Sequence, residues 1–87
     1  MNDVLVEIIS IATIKKYEFW LPKKSLIKDV IRKLAEDIMI FENNDNLYDE
    51  NDLKGLVLVV ASSGDVLNKD YTVCESGILG GDRLILV

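Results

Sequence analysis

Few residue types in this sequence could perform covalent chemistry. Histidine is absent, which removes the usual general base at neutral pH and the commonest metal ligand. The single cysteine, Cys74, cannot form an internal disulfide, and its neighbours Val73 and Glu75 do not favour a reactive thiolate. We therefore predict a small, partly buried side chain at Cys74, with no catalytic residue, no metal site and no cofactor. An enzyme made of this chain alone is not expected.

The composition is that of a small globular domain. The 87 residues are 49% hydrophobic and 29% charged, which suits one core, so residues 1–87 are predicted to form a single domain. The net charge of -5 argues against nucleic acid as a partner. The longest apolar stretch, residues 4–14, is interrupted by polar side chains and no basic segment precedes it. We expect a cytoplasmic protein that does not insert directly into a membrane.

The apolar pattern predicts the element order β-β-α-β-β-β. Strands are expected at residues 4–9, 17–21, 55–61, 66–67 and 83–87. A helix with apolar residues at three- and four-residue spacing follows Ser25, a candidate N-cap, and extends to Phe41. Residues 42–52 are rich in asparagine and carboxylates and predict a solvated loop.

These elements define a two-layer α+β domain, in which one helix packs across one face of a mixed five-stranded sheet. The first and last strands carry the densest apolar runs, so they are predicted to be central neighbours that pair in parallel. This is the β-grasp arrangement.

A C-terminal motif narrows the fold class. Residues 77–86 read Gly-Ile-x-x-Gly-Asp-x-Leu-x-Leu, and this ending of a β-β-α-β chain resembles a ubiquitin-like domain. Together with the strand ending Phe19-Trp20-Leu21, it is most similar to the YukD-like (EsaB-like) family of bacterial type VII, WXG-type secretion. The resemblance implies a non-enzymatic adaptor or regulator whose partner is the secretion machinery. Two alternatives are a sulfur-carrier or ubiquitin-like modifier and an accessory subunit of an unrelated enzyme.

The pair Gly80–Gly81 invites comparison with the diglycine end of ubiquitin and sulfur carriers, which needs a free terminal glycine carboxylate. Six residues follow Gly81 and are predicted to form the last strand, so a turn is favoured and conjugation is not expected. The motif also predicts that Gly77 ends a turn, that Ile78 enters the core and that the Asp82 carboxylate accepts backbone N–H groups.

A single helix leaves one face of the sheet uncovered. The two-residue period of the strands points Val6, Ile8 and Leu84 toward the helix. The same period places five apolar side chains on the opposite face, which we predict to bind protein with the tryptophan as anchor: Leu5, Ile9, Trp20, Ile85 and Val87. Either Val57 and Val59 or the alternate residues 56, 58 and 60 join them. A homodimer through this face is a further expectation.

The charges are unevenly distributed along the chain. Seven cations lie between residues 15 and 33, and seven carboxylates lie between residues 36 and 52. On the helix this order opposes the macrodipole. It predicts either a simple solvated face or a bipolar surface that steers a protein partner.

Overall fold

The chain folds into four strands and two helices, as a computed structural model describing residues 3–87 shows. In chain order they are β1 Asp3–Ser10, β2 Lys15–Pro22, α1 Ile27–Phe41, α2 Glu50–Gly55, β3 Leu58–Val60 and β4 Arg83–Leu86. The strands form one mixed sheet in the order β2-β1-β4-β3. β1 pairs with β2 antiparallel and with β4 in parallel, so the predicted pairing of the first and last strands is confirmed.

The core lies between α1 and one face of the sheet. The apolar stripe of α1 is buried, with Val30, Leu34 and Ile38 at most 4% exposed. The predicted phase of the strands is confirmed, because Ile8 and Leu84 are fully buried on the helix side. Leu56, Leu58 and Val60 belong to this core, which places Val57 and Val59 on the opposite face and settles the phase of that strand.

The predicted fifth strand is wrong. Val66 makes only an isolated bridge to Val59, and Leu67 N–H donates to Leu58 O at 2.9 Å. The chain then turns away, because the Asn68 carboxamide accepts a hydrogen bond from Asp70 N–H at 2.9 Å and the Asn68 carbonyl from Tyr71 N–H at 3.2 Å. The described chain therefore has a four-stranded sheet rather than five strands.

The predicted acidic loop contains a second helix. The Asp49 carboxylate accepts Asp52 N–H at 2.8 Å, and the Asp52 carboxylate accepts Asp49 N–H at 3.0 Å. This reciprocal capping box satisfies N–H groups at the start of α2, and Lys54 lies in its last turn. The single-helix prediction is therefore wrong, because acidic residues that look like solvated loop also suit a helix N-terminus.

Ser25 does not cap α1 as predicted. The N-cap is Leu26, which makes no side-chain hydrogen bond to the helix. Instead, Ile27 N–H donates to Tyr71 O at 2.8 Å and Lys28 N–H donates to Lys69 O at 3.1 Å. The start of α1 is thus satisfied by the segment preceding β4, which lies far away in sequence.

The β1–β2 turn holds a strained isoleucine. Ile14 has φ +56°, in the left-handed region that β-branched residues disfavour. It is also 89% exposed. Asparagine tolerates the same conformation, so Ile14→Asn should raise the free energy of unfolding by about 1 kcal/mol. Urea denaturation measures the change. Ile11→Asn is the matched control, since Ile11 is 52% exposed and lacks a positive φ. A lower midpoint for Ile14→Asn than for the parent would contradict this assignment of strain.

Candidate protein-binding face

The helix-free face of the sheet carries a central strip of aliphatic side chains. Strand register sets Ile9 opposite Ile85 and Ile85 opposite Val59. Val57 and Val87 extend the strip, because their backbones exchange hydrogen bonds of 2.8 and 3.1 Å. Ile9, Ile85, Val57 and Val59 are half-buried, and Val87 is 49% exposed. None of these five residues belongs to the core between α1 and the sheet.

A polar row crosses the same face next to the strip. Glu7 is paired with Arg83 on β4 and with Glu18 on β2. Arg83 Nε lies 2.7 Å from Glu7 Oε1, an ion pair whose N–H is not aligned for a hydrogen bond. Two carboxylates directly opposite each other repel, and the guanidinium on the other side of Glu7 offsets that repulsion.

Trp20 lies on the far side of this polar row. It is opposite Leu5 and is 54% exposed. Leu5 and Ile9 are four residues apart, about 13 Å along β1. The five residues predicted from the sequence therefore all lie on the helix-free face, but in two patches: Leu5 with Trp20, and Ile9 with Ile85 and Val87. Sequence reasoning missed the dividing row, because the contact of Glu7 with Arg83 depends on the β1–β4 register.

Opposite charges of the basic and acidic segments meet on the helix side, two pairs across elements and one within α1. Lys15 Nζ lies 2.6 Å from Glu42 Oε1, Arg32 lies 3.4 Å from Glu50, and Lys33 Nζ lies 2.8 Å from Asp37. These exposed pairs each contribute little stability. They bring cations of the basic segment against carboxylates of the acidic segment, which favours the solvated-face interpretation over a bipolar docking surface.

Glu42 joins the β1–β2 hairpin to the end of α1. It accepts hydrogen bonds from Lys15 Nζ at 2.6 Å and from Tyr17 OH at 2.8 Å. Both bonds favour the carboxylate and lower the pKa of Glu42, while burial raises the pKa of Tyr17. Phe41 stacks on Tyr17 and on Phe19 with ring centroids 6.2 and 6.0 Å apart. We interpret this cluster as structural, because the Lys15, Tyr17 and Glu42 side chains are hydrogen-bonded to one another.

The structure corrects the expectation for Cys74, which is an exposed residue. Val73 takes the fully buried position of this segment, and Cys74 N–H donates to Lys23 O at 2.9 Å. This register leaves the Cys74 side chain outside the core.

The predicted glycine turn is confirmed. Gly77 and Gly81 have φ of +75° and +88°, which side chains with a Cβ rarely adopt. Between the two glycines, Ile78 is only 6% exposed. Directly after Gly81, the Asp82 carboxylate accepts a hydrogen bond from Leu79 N–H at 2.9 Å. The turn fixes where β4 begins beside β1.

No protein-family model matches the sequence, and no curated protein matches it. Among solved structures, the chain is similar to the ubiquitin-like domain of the type VII secretion protein ECCD1 of Mycobacterium tuberculosis. The TM-score is 0.69 and the identity 17%, over 100% of this chain and 99% of that one. A chain of an ESX-5 inner membrane complex is similar with TM-score 0.75 and 14% identity, over 100% of this chain and 21% of that one.

A chain of the toluene 4-monooxygenase HD complex with the inhibitor 4-bromobenzoate is also similar. Its TM-score is 0.77 and its identity 15%, over 98% of this chain and 96% of that one. At such identities the likeness is one of fold, and it shows that this chain has a ubiquitin-like α+β fold. None of the helices in residues 3–87 has the length and apolar character needed to cross a bilayer.

Proposed function

We propose that this chain is a non-enzymatic ubiquitin-like module that binds a partner protein through the helix-free face of its sheet. The observation that carries the proposal is the aliphatic strip around Ile85, which lies outside the core, with exposed Trp20 on the same face. Contiguous apolar surface on a small protein usually marks a contact, and tryptophan is enriched among residues that dominate binding energy.

We further infer that the partner belongs to a bacterial type VII secretion system, and that this protein acts as a cytoplasmic adaptor or regulator. The motif at residues 77–86 supports this, since it resembles the YukD-like ending. One of the similar structures is the ubiquitin-like domain of a type VII secretion protein, and another is a chain of an ESX-5 inner membrane complex. Self-association through the same face is the alternative use of this surface.

A role as a conjugated modifier is disfavoured by the position of the glycine pair. Gly81 lies in a turn with φ +88°, and β4 begins two residues later. Leu84 and Leu86 of β4 are fully buried, so exposing a free Gly81 carboxylate would require loss of a central strand.

The other alternative to the proposed adaptor is an accessory subunit of an enzyme. The observation that supports this alternative is the similar chain in a monooxygenase complex.

Trp20→Ala should reduce capture of the partner about tenfold and leave the unfolding midpoint nearly unchanged, because an exposed side chain contributes little to the monomer. The measurement is affinity capture from a cytoplasmic extract with quantitative mass spectrometry, in which type VII components should be enriched. Tyr71→Ala is the matched control, since Tyr71 is 48% exposed away from the sheet. Enrichment of an adenylating enzyme or an oxygenase instead would overturn the proposal.

A further inference from the structure

β2 presents an unpaired backbone edge. It lies at one edge of the sheet, and within residues 3–87 its only sheet partner is β1. On β1, Leu5 O accepts Gly81 N–H at 2.8 Å and Glu7 N–H donates to Asp82 O at 3.0 Å, so these residues bond toward β4. Because backbone groups alternate in direction along a strand, the intervening residues Val6 and Ile8 bond toward β2.

The phase of β2 follows from this pairing. Val6 and Ile8 are opposite Phe19 and Tyr17, which therefore use their N–H and C=O groups toward β1. The residues between and beside them direct their backbone groups to the outer edge: Lys16, Glu18 and Trp20. No backbone hydrogen bond found outside the sheet in residues 3–87 uses the N–H or C=O of these three. An unpaired edge of this kind is a template for another strand.

A groove of about 300 Å³ runs along this edge, between β2 and α1. Phe19, Leu21, Val30 and Leu34 line it with apolar side chains. Asp29, Lys33 and Asp37 of α1 form its polar wall, in which Lys33 Nζ lies 2.8 Å from Asp37 Oδ1. Side chains of an added strand that point toward α1 would enter this groove at every second position.

Cations flank the edge, although the whole chain is acidic. Lys16 lies on β2 itself, and Lys23 and Lys24 directly follow the strand. All three are exposed, and none of them pairs with a carboxylate in the described chain. Carboxylates on an incoming strand would be complementary to these ammonium groups.

We propose that the outer edge of β2 binds an extended polypeptide segment of a partner, which adds a fifth strand to the sheet. The segment carries aliphatic side chains at alternate positions, which fill the groove beside α1, and carboxylates at the end that reaches Lys23 and Lys24. Main-chain hydrogen bonds to Glu18 and its neighbours supply affinity, and the groove and the lysines supply specificity. This surface adjoins the helix-free face at Trp20, which also lines the groove.

A second copy of this chain fits the edge less well. An antiparallel copy that placed Phe19 opposite Phe19 would bring apolar side chains to both grooves. The same register would set Lys15 opposite Lys23, so cations would face cations at both ends of the pair. Charge therefore favours an acidic segment over self-pairing.

The test replaces one outward-pointing N–H. Glu18→Pro removes that donor without breaking a bond to β1, because proline is tolerated on edge strands where the N–H faces solvent. Glu18→Ala is the matched control that keeps the donor. The probe is the peptide Asp-Asp-Val-Thr-Val-Thr-Val-Thr, used also in reverse order so that parallel and antiparallel additions are both sampled. Affinity is measured by calorimetry, and amide shifts by NMR.

We expect the peptide to bind the parent and Glu18→Ala within twofold of each other, and Glu18→Pro at least tenfold more weakly. The amides of Lys16, Glu18 and Trp20 should shift on binding. The double variant Lys23→Glu, Lys24→Glu changes only exposed side chains. It therefore tests how much these charges contribute to peptide affinity, even where the proline variant is destabilised. It should bind the aspartate peptide at least fivefold more weakly and prefer a peptide with lysines in place of the aspartates.

Three results would overturn the proposal. One is equal affinity of the parent and a folded Glu18→Pro variant for the peptide. Another is a set of amide shifts confined to the helix-free strip around Ile9 and Ile85. The third is self-association of the parent in sedimentation that Glu18→Pro abolishes, which would assign the edge to a second copy.

Discussion

Leu86→Ala should lower the free energy of unfolding by about 2–5 kcal/mol, the usual cost of truncating a large buried side chain. Leu86 is fully buried on β4 and is paired with Leu58, which is also fully buried. Its removal leaves a cavity between α1 and two neighbouring strands. In a domain of 87 residues this loss is a large fraction of the total stability, so much of the variant should unfold in mild denaturant.

Leu34→Ala should have an effect of the same size from the helix side, since Leu34 is 2% exposed on α1. Leu79→Ala is the matched control: Leu79 is 68% exposed in the turn before β4, and its loss should change stability by no more than about 0.5 kcal/mol. Urea midpoints measure all three. Similar midpoints for Leu86→Ala and Leu79→Ala would show that the core has been placed wrongly.

Ile85→Lys should reduce partner capture about 100-fold, more than any other change on the helix-free face. Ile85 lies between Ile9 and Val59, at the middle of the aliphatic strip. Residues at the centre of an interface are the most completely desolvated when the partner binds. An ammonium group buried there without a partner therefore costs several kcal/mol of binding free energy. In the free monomer the half-buried lysine can extend its charge into water, so the fold should survive.

Ile40→Lys provides the control for this charge. Ile40 is 71% exposed on α1, and the same substitution there should leave capture unchanged. Ile9→Lys should repeat the effect of Ile85→Lys, because the two side chains are paired across β1 and β4. If Trp20→Ala weakens capture and Ile85→Lys does not, the aliphatic strip is not the site, and the partner binds the Leu5 patch or the β2 edge beside Trp20.

The row formed by Arg83, Glu7 and Glu18 constrains any partner of this face. It separates the two apolar patches, so a partner that covers both must also cover the row. Glu18 has a carboxylate as its neighbour on β1 and forms no ion pair in the described residues. A cation on the partner placed beside Glu18 would relieve that repulsion and set the register of the complex.

The sequence by itself determined the ubiquitin-like α+β class, although not the number of strands and helices. It also determined the parallel pairing of the first and last strands and which side chains of β1, β2 and β4 face α1. These features follow from local periods: every second residue of a strand and every third or fourth residue of a helix share a face. The glycine turn was equally readable, since the backbone at Gly77 and Gly81 suits residues without a Cβ. The five residues of the candidate face were found by the same alternation.

Only the tertiary structure decided the features whose partners lie far apart in the chain. The start of α1 is capped by the carbonyls of Lys69 and Tyr71 rather than by Ser25, and the strand expected at residues 66–67 is reduced to one bridge. The division of the candidate face arises because register sets Arg83 beside Glu7. A short-range pattern states which face a residue occupies, but not which residue from another element meets it there, because that depends on how the elements pack together.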